Sequence, residues 1–75
     1  MQQLQFELTD DYISLNDLLK VTGLCQSGGA GKVMVAQGMV KVDGKQELRK
    51  TCKIRAGQTV ELAGIRIKIR AKSGT

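Results

Sequence analysis

The sequence predicts an α+β fold: two packed helices followed by a β-hairpin, set on a small, mainly antiparallel sheet. Three patterns carry this prediction. Leucines recur at helical spacing behind Ser14, "MVKVDGKQE" (39–47) reads as two short strands around a turn, and "IRIKIR" (65–70) alternates without a break. The chain has 75 residues, which suits a single domain spanning 1–75. A chain of this size buries about 60% of its unfolded surface, so its core is thin. Its stability is expected to be roughly 4–11 kcal/mol.

Taken in order, "LQFEL" (4–8) alternates apolar and polar residues as a half-buried strand does, with Leu4, Phe6 and Leu8 inward, and "TDD" ends it. Ser14 and Asp17 have capping-box spacing, Leu15, Leu18 and Leu19 follow on one face, and Gly23 is a natural stop. This predicts a helix over about 15–22. Ser27 is the next N-cap and Gly38 the next terminating glycine. The helix between them, about 28–37, places Ala30, Val33, Met34 and Gln37 on one face, with Gly31 beside it admitting the first helix closely. Asp43-Gly44 suits a type I′ turn, which makes the following segment a hairpin. "RKTCKIR" (49–55) reads as a basic loop, "TVEL" (59–62) as a strand, and "IRIKIR" as a strand with Ile65, Ile67 and Ile69 inward. The last residues, 72–75, are expected to fray.

Charge is divided along the chain. Residues 1–19 carry Glu7, Asp10, Asp11 and Asp17 with no base, a net −4. Residues 20–75 carry all twelve Lys and Arg against Asp43, Glu47 and Glu61, a net +9. A basic body of this kind favours an anionic partner, nucleic acid before membrane. The N-terminal segment lacks the charged and apolar regions of a secretory signal, and no run of about 18 apolar residues spans a membrane. Cys25 and Cys52 stand alone and there is no His, too few ligands for zinc; both read as reduced, buried thiols of a cytoplasmic protein. No metal or cofactor is expected.

"QSGGAGKVMV" (26–35) suggests a nucleotide phosphate loop. A Walker A motif would need glycine at 26 and a hydroxyl at 33; the residues there are Gln26 and Val33, and a helix rather than a strand precedes them. Gly28 and Gly29 instead open a helix whose unpaired N–H groups could meet a phosphate, with Lys32 one turn along. The alternative is that they only shape a tight helix entry.

The Ser-initiated helix, its glycine, "GMVKVDGK", the basic loop and "AGQTVEL" together resemble the αL RNA-binding motif of the small-subunit ribosomal protein four family, over about residues 14–62. "SGGAGK" with the following hairpin is most similar to the family's small stand-alone bacterial members. Where the broader family usually has an Arg after the capping Ser, this chain has Gly28. The resemblance implies non-catalytic binding of structured RNA (rRNA, tRNA or an mRNA element) through Lys32, Arg49, Lys50 and Lys53. Geometry adds Lys20, at the end of the first helix, and Lys41, Lys45 and Arg55 are further candidate contacts.

Composition points the same way. With one Phe and one Tyr, and Phe6 placed in the core by its alternation with Leu4 and Leu8, no stacking platform is available, so backbone phosphates and folded shape would be read instead. Arg66, Lys68 and Arg70 could form a solvated, aggregation-resistant edge or a second RNA contact. With no His, the Asp10-Asp11 pair and Cys25 lack partners for catalysis. A protein–protein adaptor of an RNA-processing or ribosome-associated complex is the alternative function.

Overall fold

The computed structural model describes residues 2–26 and 28–71. In chain order the elements are β1 (Gln2–Glu7), β2 (Ile13–Ser14), α1 (Leu15–Val21), α2 (Gly28–Ala36), β3 (Val40–Val42), β4 (Lys45–Gln46), β5 (Lys53–Ile54), β6 (Thr59–Leu62) and β7 (Ile65–Arg70). The expected N-cap Ser27 and the expected fraying of 72–75 fall outside the described residues.

The expected fold class needs correction. Strand outweighs helix, and the principal sheet is mixed, with five strands in the order β1-β7-β6-β3-β4. β1 runs parallel to β7 over six paired positions, from Gln2 opposite Ile65 to Glu7 opposite Arg70. A two-stranded ribbon, β2 with β5, stands apart from that sheet. Two packed helices followed by a hairpin on a mainly antiparallel sheet therefore describe the molecule only loosely. Alternation in "LQFEL" and "IRIKIR" tells which face of each strand is buried, but carries no information about its neighbour or direction. The parallel pair also removes β7 from the edge. It lies between β1 and β6, so Arg66, Lys68 and Arg70 are not an edge strand's gatekeepers.

Local chemistry explains the turns. Asp43 and Gly44 both have positive φ, 53° and 81°, the type I′ geometry that joins β3 to β4 with Val42 opposite Lys45. Ala63 and Gly64 repeat it between β6 and β7, at φ 52° and 79°. Ala63 accepts a left-handed conformation that alanine ordinarily avoids.

The core lies between the inner face of the sheet and the helices. Leu15, Leu18 and Leu19 of α1, Val35 of α2, and Val40, Ile54, Val60 and Ile67 from the strands are fully enclosed or nearly so. Leu4 and Phe6 pack against this cluster, and Leu8 is buried within it. The α2 face differs from expectation: Gly31, Met34 and Val35 turn inward, while Ala30, Val33 and Gln37 are exposed. That helix is apolar nearly all round, so residue size alone did not mark its buried stripe. Close approach decides it. A Cβ on Gly31 would lie 3.3 Å from the backbone oxygen of Asn16, so the missing side chain lets α2 rest against α1. The Cys25 thiol, donating to Met34 Sδ at 3.0 Å, ties the intervening loop to the same face.

Candidate nucleic-acid interface

The basic segment 49–55 is partly strand. In the ribbon, Ile13 faces Ile54 and Ser14 faces Lys53. Ile54 is buried, so by the two-residue period of a strand Lys53 and Arg55 leave on the opposite, outward side. The segment before them is fixed by the helix it precedes in space. The first N–H groups of α1, which have no partner inside the helix, donate to this segment: Leu15 to the Cys52 carbonyl at 2.9 Å and Asn16 to the Lys50 carbonyl at 3.0 Å. Ser14 makes no side-chain cap; its hydroxyl donates to Asp17 Oδ2 at 2.7 Å instead.

Behind Arg55 the chain is held by Gln58. The Arg55 N–H donates to Gln58 Oε1 at 2.7 Å, and Gln58 Nε2 donates to Asp43 Oδ2 at 3.3 Å. Asp43 Oδ1 also accepts the Thr59 N–H at 2.9 Å. The hairpin tip and the ribbon are thus joined by side chains. Between these anchors Arg49, Thr51, Cys52, Lys53 and Arg55 line one open concavity.

Charges within it are not equivalent. Glu47 accepts from Arg49 three times, from the backbone N–H at 3.0 Å, Nε at 3.1 Å and Nη2 at 3.3 Å. Those bonds hold the Glu47 carboxyl down at about 2, the Arg49 side chain contributing most, and raise the Arg49 guanidinium in turn. Arg49 nevertheless remains largely exposed. Lys50, Lys53 and Arg55 are exposed and make no ion pair among the described residues. Lys53 Nζ lies 5.0 Å, and Arg55 Cζ 5.7 Å, from the centroid of the Tyr12 ring, within cation–π range.

The other candidates are distributed as follows. Lys20 is exposed in the last turn of α1, Lys32 is exposed on α2, and Gly28 and Gly29 form the first turn of α2. Lys45, opposite the inward Val42, leaves the sheet on its core side at the β4 edge. Lys41 does not join the loop. It stands on the sheet's outer face in one row with Glu61 and Arg66, beside Lys68 and Arg70 on β7. Arg66 meets Glu61 at 3.6 Å, and Arg70 donates to Gln5 at 3.0 Å.

Both cysteines are free. Burial pushes the Cys25 thiol up; burial first and Glu47 second do the same to Cys52, so neither is primed as a thiolate. Among the described residues no three Cys, Asp or Glu side chains gather as a metal centre requires, and no helix is long and apolar enough to cross a membrane.

The arrangement of helix pair, glycine, hairpin and anchored basic segment agrees with the resemblance noted in the sequence, and the family model described as S4 domain matches residues 6–70. The chain belongs to the S4 domain family. Two curated relatives, YbcJ of Escherichia coli K12 and YbcJ of Shigella flexneri, are each 50% identical over 58 residues, covering 77% of this chain and 83% of theirs. The solution structure of E. coli YbcJ aligns with a TM-score of 0.67 and 44% identity, over 95% of this chain and 89% of that one. It is described as revealing an αL motif involved in RNA binding.

Sequence reasoning missed three residues of this S4 surface. Gln58 and Glu47 act through hydrogen bonds that only the folded loop creates. Scarcity of aromatic residues hides Tyr12, whose place beside Lys53 and Arg55 exists only in the fold. A signal existed: "YIS" (12–14) and "KIR" (53–55) each place one isoleucine between polar or aromatic neighbours, as an antiparallel ribbon with one buried side would.

Proposed function

We propose that this S4 domain is a non-catalytic cytoplasmic module that binds structured RNA by its phosphates, in ribosome assembly, RNA processing or translation. Arg49, Lys50 and Lys53 form the centre of the contact, Arg55 extends it along the ribbon, and Lys20 and Lys32 with the Gly28-Gly29 turn supply the helix side. Lys45 is a rim contact. The single observation carrying this reading is the concavity lined by Arg49, Lys53 and Arg55, whose backbone is pinned from both ends while its side chains stay exposed. Holding cations in place before the ligand arrives lowers the ordering cost of binding. The RNA-binding description of the structurally similar YbcJ supports the same reading.

Fluorescence anisotropy with a hairpin RNA, a single-stranded scramble and a DNA duplex tests it, from about 50 to about 300 mM salt. Preference for the hairpin is expected, with log K falling against log salt at a slope of about −3.5 to −4.5 if Lys20, Lys32, Arg49, Lys50 and Lys53 each neutralise one phosphate. A salt-independent affinity would remove the phosphate clamp. A second reading, docking to a protein of an RNA-processing complex, draws on the exposed Val21, Val33, Met39 and Leu48. Co-purification that survives nuclease treatment would favour it.

A further inference from the structure

Tyr12 stands among the cations without serving the core. Its pairing explains why. The ribbon register of Ile13 with Ile54 and Ser14 with Lys53, continued by one position, sets Tyr12 opposite Arg55. Alternation puts Ile13 and Ile54 inward and turns Tyr12, Ser14, Lys53 and Arg55 outward together. Tyr12 is 42% exposed, whereas the other aromatic residue, Phe6, packs against the core. Lys53 and Arg55 approach the ring to 5.0 and 5.7 Å.

The ring borders two kinds of charge: the ribbon's cations Lys53 and Arg55, and a concavity that it shares with Asp10, Ser14 and Asp17. A phosphate is attracted to the cations and repelled from the carboxylates. What can lie against the ring with its phosphates on the cations is a base. In a duplex, bases are already stacked and paired, so such a contact requires a nucleotide in a loop, bulge or end. We propose that Tyr12 stacks an unpaired base of the bound RNA while Lys53 and Arg55 hold the phosphates flanking that nucleotide. The inference rests on the RNA-binding reading above and deepens it: Tyr12 becomes the residue that distinguishes an RNA with an accessible base from a continuous duplex.

The test uses a convenience of composition. Tyr12 is the sole Tyr and the chain has no Trp, so intrinsic fluorescence reports on this ring alone. The full chain is titrated with a hairpin RNA, with the fully paired duplex of the same stem, and with inorganic polyphosphate, which supplies phosphates without bases. Anisotropy of the labelled RNAs is followed in parallel for wild type, Tyr12→Phe and Tyr12→Leu, each checked for folding by circular dichroism.

The hairpin is expected to quench Tyr12 well beyond any change caused by bound polyphosphate. Tyr12→Leu should weaken hairpin binding about tenfold and duplex binding less than about twofold, with Tyr12→Phe close to wild type. Equal losses for hairpin and duplex would overturn the proposal, reducing Tyr12 to a support for Lys53 and Arg55. So would equal quenching by polyphosphate and hairpin; the phosphate clamp would survive either result. Failure of wild type to bind either RNA would instead remove the RNA reading itself, and this inference with it.

Discussion

The outer face of the five-stranded sheet and the outward face of the ribbon are both basic, yet they handle charge differently. On the sheet, strand register sets Arg66 directly across from Glu61, and Arg70 reaches Gln5 on the adjoining strand. Those cations are partly engaged by the fold's own surface. On the ribbon, Lys53 and Arg55 have an aromatic ring for a neighbour and no ion pair among the described residues. Number of charges alone therefore does not distinguish the two faces; the partners that the scaffold gives each cation do.

The comparison can be broken most severely at its two supports. Ile67 in the sheet and Ile54 in the ribbon are both fully buried. Replacing either with Ala is expected to cost about 2–5 kcal/mol in chemical denaturation, a large share of the whole stability. At temperatures where both variants stay folded, Ile54→Ala should also weaken RNA binding and Ile67→Ala should not. Charge reversal comes next. Arg49→Glu with Lys50→Glu should lower hairpin affinity on the order of 100-fold, while Lys68→Glu with Arg70→Glu should lower it by less than about fivefold. Equal losses in anisotropy would show that the sheet face binds as well.

A smaller effect tests the helix crossing that supports the ribbon. Gly31→Ala gains roughly 0.5–1 kcal/mol of helix propensity but presses a methyl on the Asn16 carbonyl. Because Leu15 and Asn16 are tethered to the basic segment, α1 has little room to yield. A net loss on the order of 1 kcal/mol in thermal or chemical melts is expected.

The smallest effect concerns Glu47, which makes Arg49 resemble the sheet's paired cations. Its folded pKa, about 2, lies below its ordinary value. A lowered carboxylate contributes stability above the unfolded pKa of about 4.3, lost as pH falls from there through the folded value. An NMR titration of the Glu47 carboxyl should show that depression, and Glu47→Gln should flatten the dependence of stability on pH across the same window. The pair is exposed, so its effect at neutral pH is slight. Releasing Arg49 should tighten RNA binding about twofold.

Much of this was legible in the sequence. Leu15, Leu18 and Leu19 mark α1 by spacing, Asp43-Gly44 specifies its turn by backbone preference, and Ile67 and Ile69 declare their buried side. These are local relations between a residue and its own element. The parallel β1–β7 pair was not legible, because alternation is silent about partners. The ribbon strands are two residues long, too short for any period to register. The site divides along the same line: its cations could be named by type, whereas Gln58 and Tyr12 gain their roles from Asp43, Lys53 and Arg55, distant in sequence, and Glu47 gains its own from the loop geometry that folds it onto Arg49.

The order of the strands has a further consequence for how the chain acquires its shape. In the sheet β1 borders only β7, so of the described strands the first in sequence has its hydrogen-bonding partner in the last. Until β7 is available, Leu4, Phe6 and Leu8 have no strand to lie against, and the sheet cannot close locally from its N-terminal end. Such long-range closure slows folding relative to a helical chain of equal size. It also makes the final strand a keystone: cutting the chain before Ile65 would release two of the sheet's five strands together.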